Sequence, residues 1–151
     1  MYSTHSFMSN EEKRNSQQPL ILAVEDHDDN LALIGYALES FGCGFICQTD
    51  SINTLVVAKE YQPDLIMLDI LLPSLNGIEV VRYLKQDPLT CKIPVVAVTA
   101  LASKQDKERI FEAGFDGYLN KPYMIDELEI MIRRLLCSKL ESQSAFELCK
   151  E

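Results

Sequence analysis

The chain has 151 residues, with 14 lysines and arginines against 23 aspartates and glutamates and a formal charge of −9. That length suits one domain with a real core, and the acidic balance works against non-specific attraction to nucleic acid or anionic membrane. Five cysteines, at 43, 47, 91, 137 and 149, form no CxxC pair, and His5 and His27 lie far from any such spacing, so a zinc site is not expected.

Residues 1–18 read as a flexible tail, because Tyr2 to Pro19 is mostly Ser, Asn, Gln, Glu and Lys without apolar periodicity. The segment does not read as a secretory signal, and no apolar run approaches the ~20 residues of a membrane span. Reducing cytoplasm with unpaired cysteines is the expected setting.

Leu20 to Val24 is the first strand, and Leu31, Ile34, Leu38 and Phe41 recur at helical spacing before Gly42. Gly44 to Thr49 forms a second strand. Ser51 caps a helix that carries Ile52, Leu55 and Val56 inward, and Pro63 breaks it before a third strand at Asp64 to Leu68. A loop from Leu72 to Gly77 leads to a helix with Ile78, Val81 and Leu84 on its apolar face. Pro94 opens a fourth strand at Val95 to Val98.

Ser103 and Asp106 resemble a capping box for a helix that stops at Gly114. Asp116 to Asn120 is the last strand. A long helix from about Asp126 buries Leu128, Met131, Ile132, Leu135 and Leu136. Near-continuous apolar strands alternating with helices imply right-handed crossovers and a doubly wound α/β fold. For five parallel strands with helices on both faces the flavodoxin-like order 2-1-3-4-5 is expected. Ligands of such sheets bind outside the carboxyl ends of the strands, and there stand Glu25 and Asp26, Asp69, Thr99 and Lys121.

Val24-Glu25-Asp26-His27-Asp28-Asp29-Asn30, Leu68-Asp69-Ile70-Leu71-Leu72-Pro73 with Gly77 four beyond the proline, Val98-Thr99-Ala100 and Leu119-Asn120-Lys121-Pro122 together resemble the receiver domain of two-component response regulators. The resemblance covers residues 19–140 and leaves 141–151 as a C-terminal extension. Its spacings are 43 residues from Asp26 to Asp69, 30 on to Thr99 and 22 more to Lys121.

The residues support the same chemistry directly. Carboxylates of Glu25, Asp26 and Asp69 crowded in one crevice repel, and two like charges ~4 Å apart at an effective dielectric of ~20 cost about 4 kcal/mol. A Mg²⁺ (or Mn²⁺) ion relieves that cost. Asp26 and Asp69 are then direct ligands, Glu25 acts nearby, and the resemblance adds the backbone carbonyl of Leu71. A free carboxylate oxygen of Asp69 is the phosphoacceptor nucleophile, with Lys121 neutralising phosphoryl charge and Thr99 offering a hydroxyl beside small Ala100. A Lys-Pro bond after a strand can be cis, as the family has it at Pro122.

The resemblance also implies a switch, in which Thr99 moves toward the phosphate and Tyr118 turns inward. The face of helix 103–113, strand 116–120 and the last helix is its output surface. Asp28 and Asp29 suit the positive end of the first helix, and His27 is expected to face solvent without a catalytic role. Leu71 and Leu101 stand where the family often places polar groups that guide water, so slow loss of the phosphoryl group is expected.

Rival chemistries lack their parts. No G-x-x-x-x-G-K-[ST] loop accompanies the Asp69 strand, Glu25 and Asp26 would repel a flavin phosphate, and a phosphohydrolase acid two beyond the nucleophile is replaced by Leu71.

About fifteen residues follow Leu136, which reads as a stand-alone receiver. Expected partners are a sensor histidine kinase or histidine phosphotransfer protein, recognised around Leu31 to Glu39, and a downstream protein target. Leu140, Phe146 and Leu148 offer a contact surface, direct DNA or membrane binding is not expected, and dimerisation is left open. The alternative is a pseudo-receiver, an interaction module that is not phosphorylated. Glu25 in place of a first aspartate is the departure from the commonest pattern, and Asn76 is read as a loop residue.

Overall fold

The computed structural model of the chain describes residues 18–70, 76–100 and 103–150, with the side chains of the last helix described as far as position 137. Five strands, β1 (Leu20–Val24), β2 (Gly44–Gln48), β3 (Leu65–Asp69), β4 (Val95–Thr99) and β5 (Gly117–Asn120), form one sheet in the order β2-β1-β3-β4-β5. Every neighbouring pair is parallel. Helices α1 (Asp28–Ser40), α2 (Thr54–Tyr61), α3 (Gly77–Gln86), α4 (Lys104–Ala113) and α5 (Ile125–Lys150) connect the strands and follow the last one.

Alternate strand residues feed two cores. Leu20, Leu22, Val24, Ile66, Leu68, Val95 and Ala97 pack on one face of the sheet with Val80, Val81 and Leu84 of α3 and Ile110 of α4. Ile21, Ala23, Leu65, Met67, Val96 and Val98 pack on the other with Leu31, Ile34 and Leu38 of α1 and Leu128 and Ile132 of α5. Fully burying a leucine or isoleucine stabilises by roughly 1.5–3 kcal/mol, which explains why β1, β3 and β4 are apolar up to their carboxyl ends, where Asp69 and Thr99 stand.

Polar side chains fix the amino ends of the strands. Asp64 Oδ2 accepts from the Leu20 N–H at 2.8 Å, and Asp116 Oδ2 accepts from the Val95 N–H and the Lys85 ammonium, both at 2.9 Å. Both aspartates stand just before their strands rather than opening them. The Ser103 hydroxyl accepts from the Asp106 N–H at 3.0 Å, and α4 ends on left-handed Gly114 at φ 119°. Asn76 is the cap of α3, its side chain accepting from the Ile78 N–H at 2.9 Å, and not simply a loop residue.

The second helix departs from the sequence reading. Ile52 and Val56 are exposed, and α2 begins only at Thr54 and buries Thr54, Val57 and Ala58. Ser51 is not its cap, since its buried hydroxyl has no hydrogen-bond partner. The turn is held instead by Asp50, whose Oδ1 accepts from the Asn53 N–H at 3.1 Å and whose carbonyl accepts from the Thr54 hydroxyl at 3.3 Å. The cap falls two residues later, on Asn53 instead of Ser51, so Ile52 precedes the helix and the buried stripe runs through Thr54, Val57 and Ala58, leaving Val56 outward.

The α5 backbone stays helical to Lys150, while the side chains of Leu140, Phe146 and Leu148 lie outside the described residues, as does the segment 1–17. Among the described residues no helix is long and apolar enough to cross a membrane.

Candidate functional site

The chain switches direction between β1 and β3, and strand register carries the polar groups to the crevice opened there. Val24 pairs with Leu68, which places Glu25 beside Asp69. Asp69 pairs with Val98, and Thr99 pairs with Asn120, so Thr99 and then Lys121 follow one step further along. Backbone bonds continue past the strand ends. The Glu25 N–H donates to Gln48 O at 3.0 Å, Ile70 N–H to Val98 O at 3.3 Å and Lys121 N–H to Thr99 O at 2.8 Å.

Glu25, Asp69 and Thr99 are 2%, 7% and 0% exposed, so this is a polar site set into the core. The Lys121 ammonium donates to Asp69 Oδ2 at 2.9 Å and to Glu25 Oε2 at 3.0 Å. It therefore bridges two carboxylates that burial alone would make costly to ionise. Burial raises the Glu25 carboxyl above its ordinary value and the charge of Asp69 adds to that, against the bonds from Lys121 and Asn30. Burial pulls the Lys121 ammonium down, but its bonds to Asp69 and Glu25 outweigh that and hold it above the ordinary lysine value. The Lys121–Pro122 peptide is cis.

Asp26 is partly exposed at the rim, with Oδ1 3.6 Å from Nε2 of the largely exposed His27. Glu25, Asp26 and His27 each offer a ligand atom within 4.8 Å of the others, and Asp69 stands outside that group. Asn30, given no role from the sequence, donates to Glu25 Oε1 at 3.4 Å. It sits one α-helical turn beyond Asp26, a spacing that could have flagged it.

Beside the site lies a cleft of about 410 Å³ lined by Glu25, Asn30, Leu33, Ala100, Lys121 and Tyr123, among others. Tyr118 on β5 is half-buried, with the Lys107 ammonium 5.4 Å from its ring centre. Its hydroxyl is held above its ordinary value by burial and by the charge of Asp106. Leu71 and Leu101 lie outside the described residues.

A buried carboxylate bridged by a lysine, with further carboxylates and a threonine around it, can accept a phosphoryl group and neutralise its charge. The donor set is hard oxygen, the chemistry that suits Mg²⁺. Comparison with known proteins agrees with that arrangement. The family model for the response regulator receiver domain matches residues 21–133. The polar-differentiation response regulator DivK of Brucella anthropi is 40% identical over 105 residues, which are 70% of this chain and 85% of DivK.

Among solved structures, the receiver domain of the sensor histidine kinase PA1611 from Pseudomonas aeruginosa is 31% identical with a TM-score of 0.73, covering 79% of this chain and 98% of its own. That structure holds a magnesium ion coordinated in its active site cleft. A CheY-like receiver from Methanospirillum hungatei is 24% identical with a TM-score of 0.78, covering 83% and 99%, and shares the fold.

Proposed function

The chain belongs to the response regulator receiver domain family of two-component signalling, and on that premise we propose that it accepts a phosphoryl group onto Asp69 from a phosphohistidine. The observation that carries this reading is Lys121, whose ammonium stands 2.9 Å from Asp69 and 3.0 Å from Glu25 in a crevice formed by strand ends.

Asp26 and Asp69 would hold Mg²⁺, with Glu25 beside them and the carbonyl of Leu71 as a further ligand by family resemblance. The ion supplies charge neutralisation and orientation of the phosphoryl oxygens. A carboxylate oxygen of Asp69 attacks phosphorus, the P–N bond to the donor imidazole breaks, and an acyl phosphate is left on Asp69. Lys121 follows the charge that passes to the phosphoryl oxygens, and the Thr99 hydroxyl donates to one of them. Water later cleaves the acyl phosphate, slowly where Leu71 and Leu101 provide no polar group to orient it.

Thr99 and Tyr118 couple that charge change to the α4–β5–α5 face, which is the output surface in this reading. The phosphodonor protein docks over the cleft between α1 and the loop after β5. Burial of Leu31, Ile34, Ala37 and Leu38 leaves Leu33 and Tyr36 outward on α1; Leu33 and Ile125 line the cleft, and Met124, next to Ile125 in the chain, is also exposed. The phosphate mimic beryllofluoride tests the acceptor: amide spectra should shift with beryllofluoride and Mg²⁺ together and stay unchanged in Asp69→Asn. Equal shifts in both proteins would remove Asp69 from the role.

A further inference from the structure

We infer that Lys107 latches the resting form of the switch, its ammonium holding the Tyr118 ring to α4 until the charge at Asp69 changes, an inference that rests on the proposed switch role of Tyr118. The ammonium lies 5.4 Å from the ring centre, inside the ~6 Å within which a cation is attracted to the negative face of an aromatic ring. Carboxylates stand close to it in the chain, since Asp106 precedes Lys107 and Glu108 follows it. Among the described residues, however, no ion pair draws the ammonium away from the ring.

Both ends of the contact are placed by the fold. Tyr118 pairs with Ala97 across β4 and β5 and packs, half-buried, against the core beneath α3 and α4. Lys107 belongs to a fixed first turn of α4. Its N–H donates to Ser103 O at 3.1 Å, and the Ser103 hydroxyl donates to Asp106 Oδ2 at 2.6 Å while accepting from the Asp106 N–H at 3.0 Å. Burial and the charge of Asp106 hold the Tyr118 hydroxyl above its ordinary value, so the phenol is neutral at neutral pH and its ring keeps a negative face. An inward turn carries the ring away from this helix turn, and the attraction is then lost. An exposed cation–ring contact corresponds to about a two- to fivefold bias between two forms. Linkage is reciprocal, so a ligand that favours the turned form binds more weakly by the same factor.

The test titrates the full chain with beryllofluoride at saturating Mg²⁺, beside Lys107→Met and Lys107→Arg, and follows amide signals together with the Tyr118 ring signals of tyrosine-labelled protein. Lys107→Met should lower the half-saturating beryllofluoride concentration about two- to fivefold. It should also move the ring signals, before any beryllofluoride is added, part of the way toward their bound position. Lys107→Arg keeps a cation for the ring and should stay close to the wild type. In a Tyr118→Leu background Lys107→Met should change nothing further. Half-saturation and ring signals unmoved by Lys107→Met overturn the inference, as does a tightening that Lys107→Arg or the Tyr118→Leu background shows equally. Wild-type ring signals that ignore beryllofluoride while the amide signals respond remove the switch role of Tyr118 on which the latch rests.

Discussion

Removing the Lys121 ammonium leaves Glu25 and Asp69 facing each other in a crevice where both are more than nine-tenths buried. Breaking a fully buried pair costs about 3–5 kcal/mol, and the Lys121 side chain is 26% exposed, so Lys121→Met should cost roughly 1–3 kcal/mol at neutral pH. The loss depends on pH. Burial already raises Glu25, and without Lys121 nothing of comparable strength lowers it. A carboxyl raised in the folded state favours folding below its unfolded value, and that contribution disappears as pH rises through the folded value. The deficit of Lys121→Met should therefore be widest near neutrality and narrow on acidification, as urea unfolding at a series of pH values would read. A deficit constant with pH would mean that the lysine matters through packing alone.

Gly77, at the start of α3, shows how an element is fitted to the site. A Cβ there would lie 2.7 Å from Ile70 Cα and 3.0 Å from the Asp69 carbonyl oxygen, both backbone atoms of Asp69, the proposed phosphoacceptor, or of the residue after it. Gly117 has an equally short approach, 2.7 Å, but to the Met131 sulfur, the far part of a flexible side chain. Gly77→Ala should cost about 1–3 kcal/mol and lower phosphorylation of Asp69, and Gly117→Ala should cost clearly less, in thermal unfolding and phosphodonor assays run side by side. Equal costs would show that the Asp69–Ile70 backbone yields freely.

Element by element, legibility follows how strongly burial constrains the pattern. The strands were readable because both faces of the sheet are covered and they stay apolar nearly to their carboxyl ends, whereas α2 is short and half-covered, with Val56 on it and Ile52 just before it both outward. Its stripe could not be placed without knowing that Asp50, and not Ser51, holds the preceding turn.

Over the whole molecule, the site is a product of topology. Glu25, Asp69, Thr99 and Lys121 lie up to 96 residues apart and meet because four parallel strands end at one edge of the sheet. Their types and order were readable in the sequence. The bridge that Lys121 makes between two carboxylates was not, nor the bond from Asn30 to Glu25, since both depend on side-chain reach across neighbouring strand and helix ends. The rim pairing of Asp26 with His27 was hidden for the same reason.

In the proposed function, this edge of the sheet presents Asp69 to a phosphoryl donor. Intact-mass analysis after incubation with a small-molecule phosphodonor, with and without Mg²⁺ and beside Asp69→Asn, measures it directly. The expected result is a single phosphoryl adduct that needs both Mg²⁺ and Asp69. An unmodified wild-type chain, or an adduct that persists in Asp69→Asn, would contradict it and favour an interaction module that keeps the receiver fold without the chemistry.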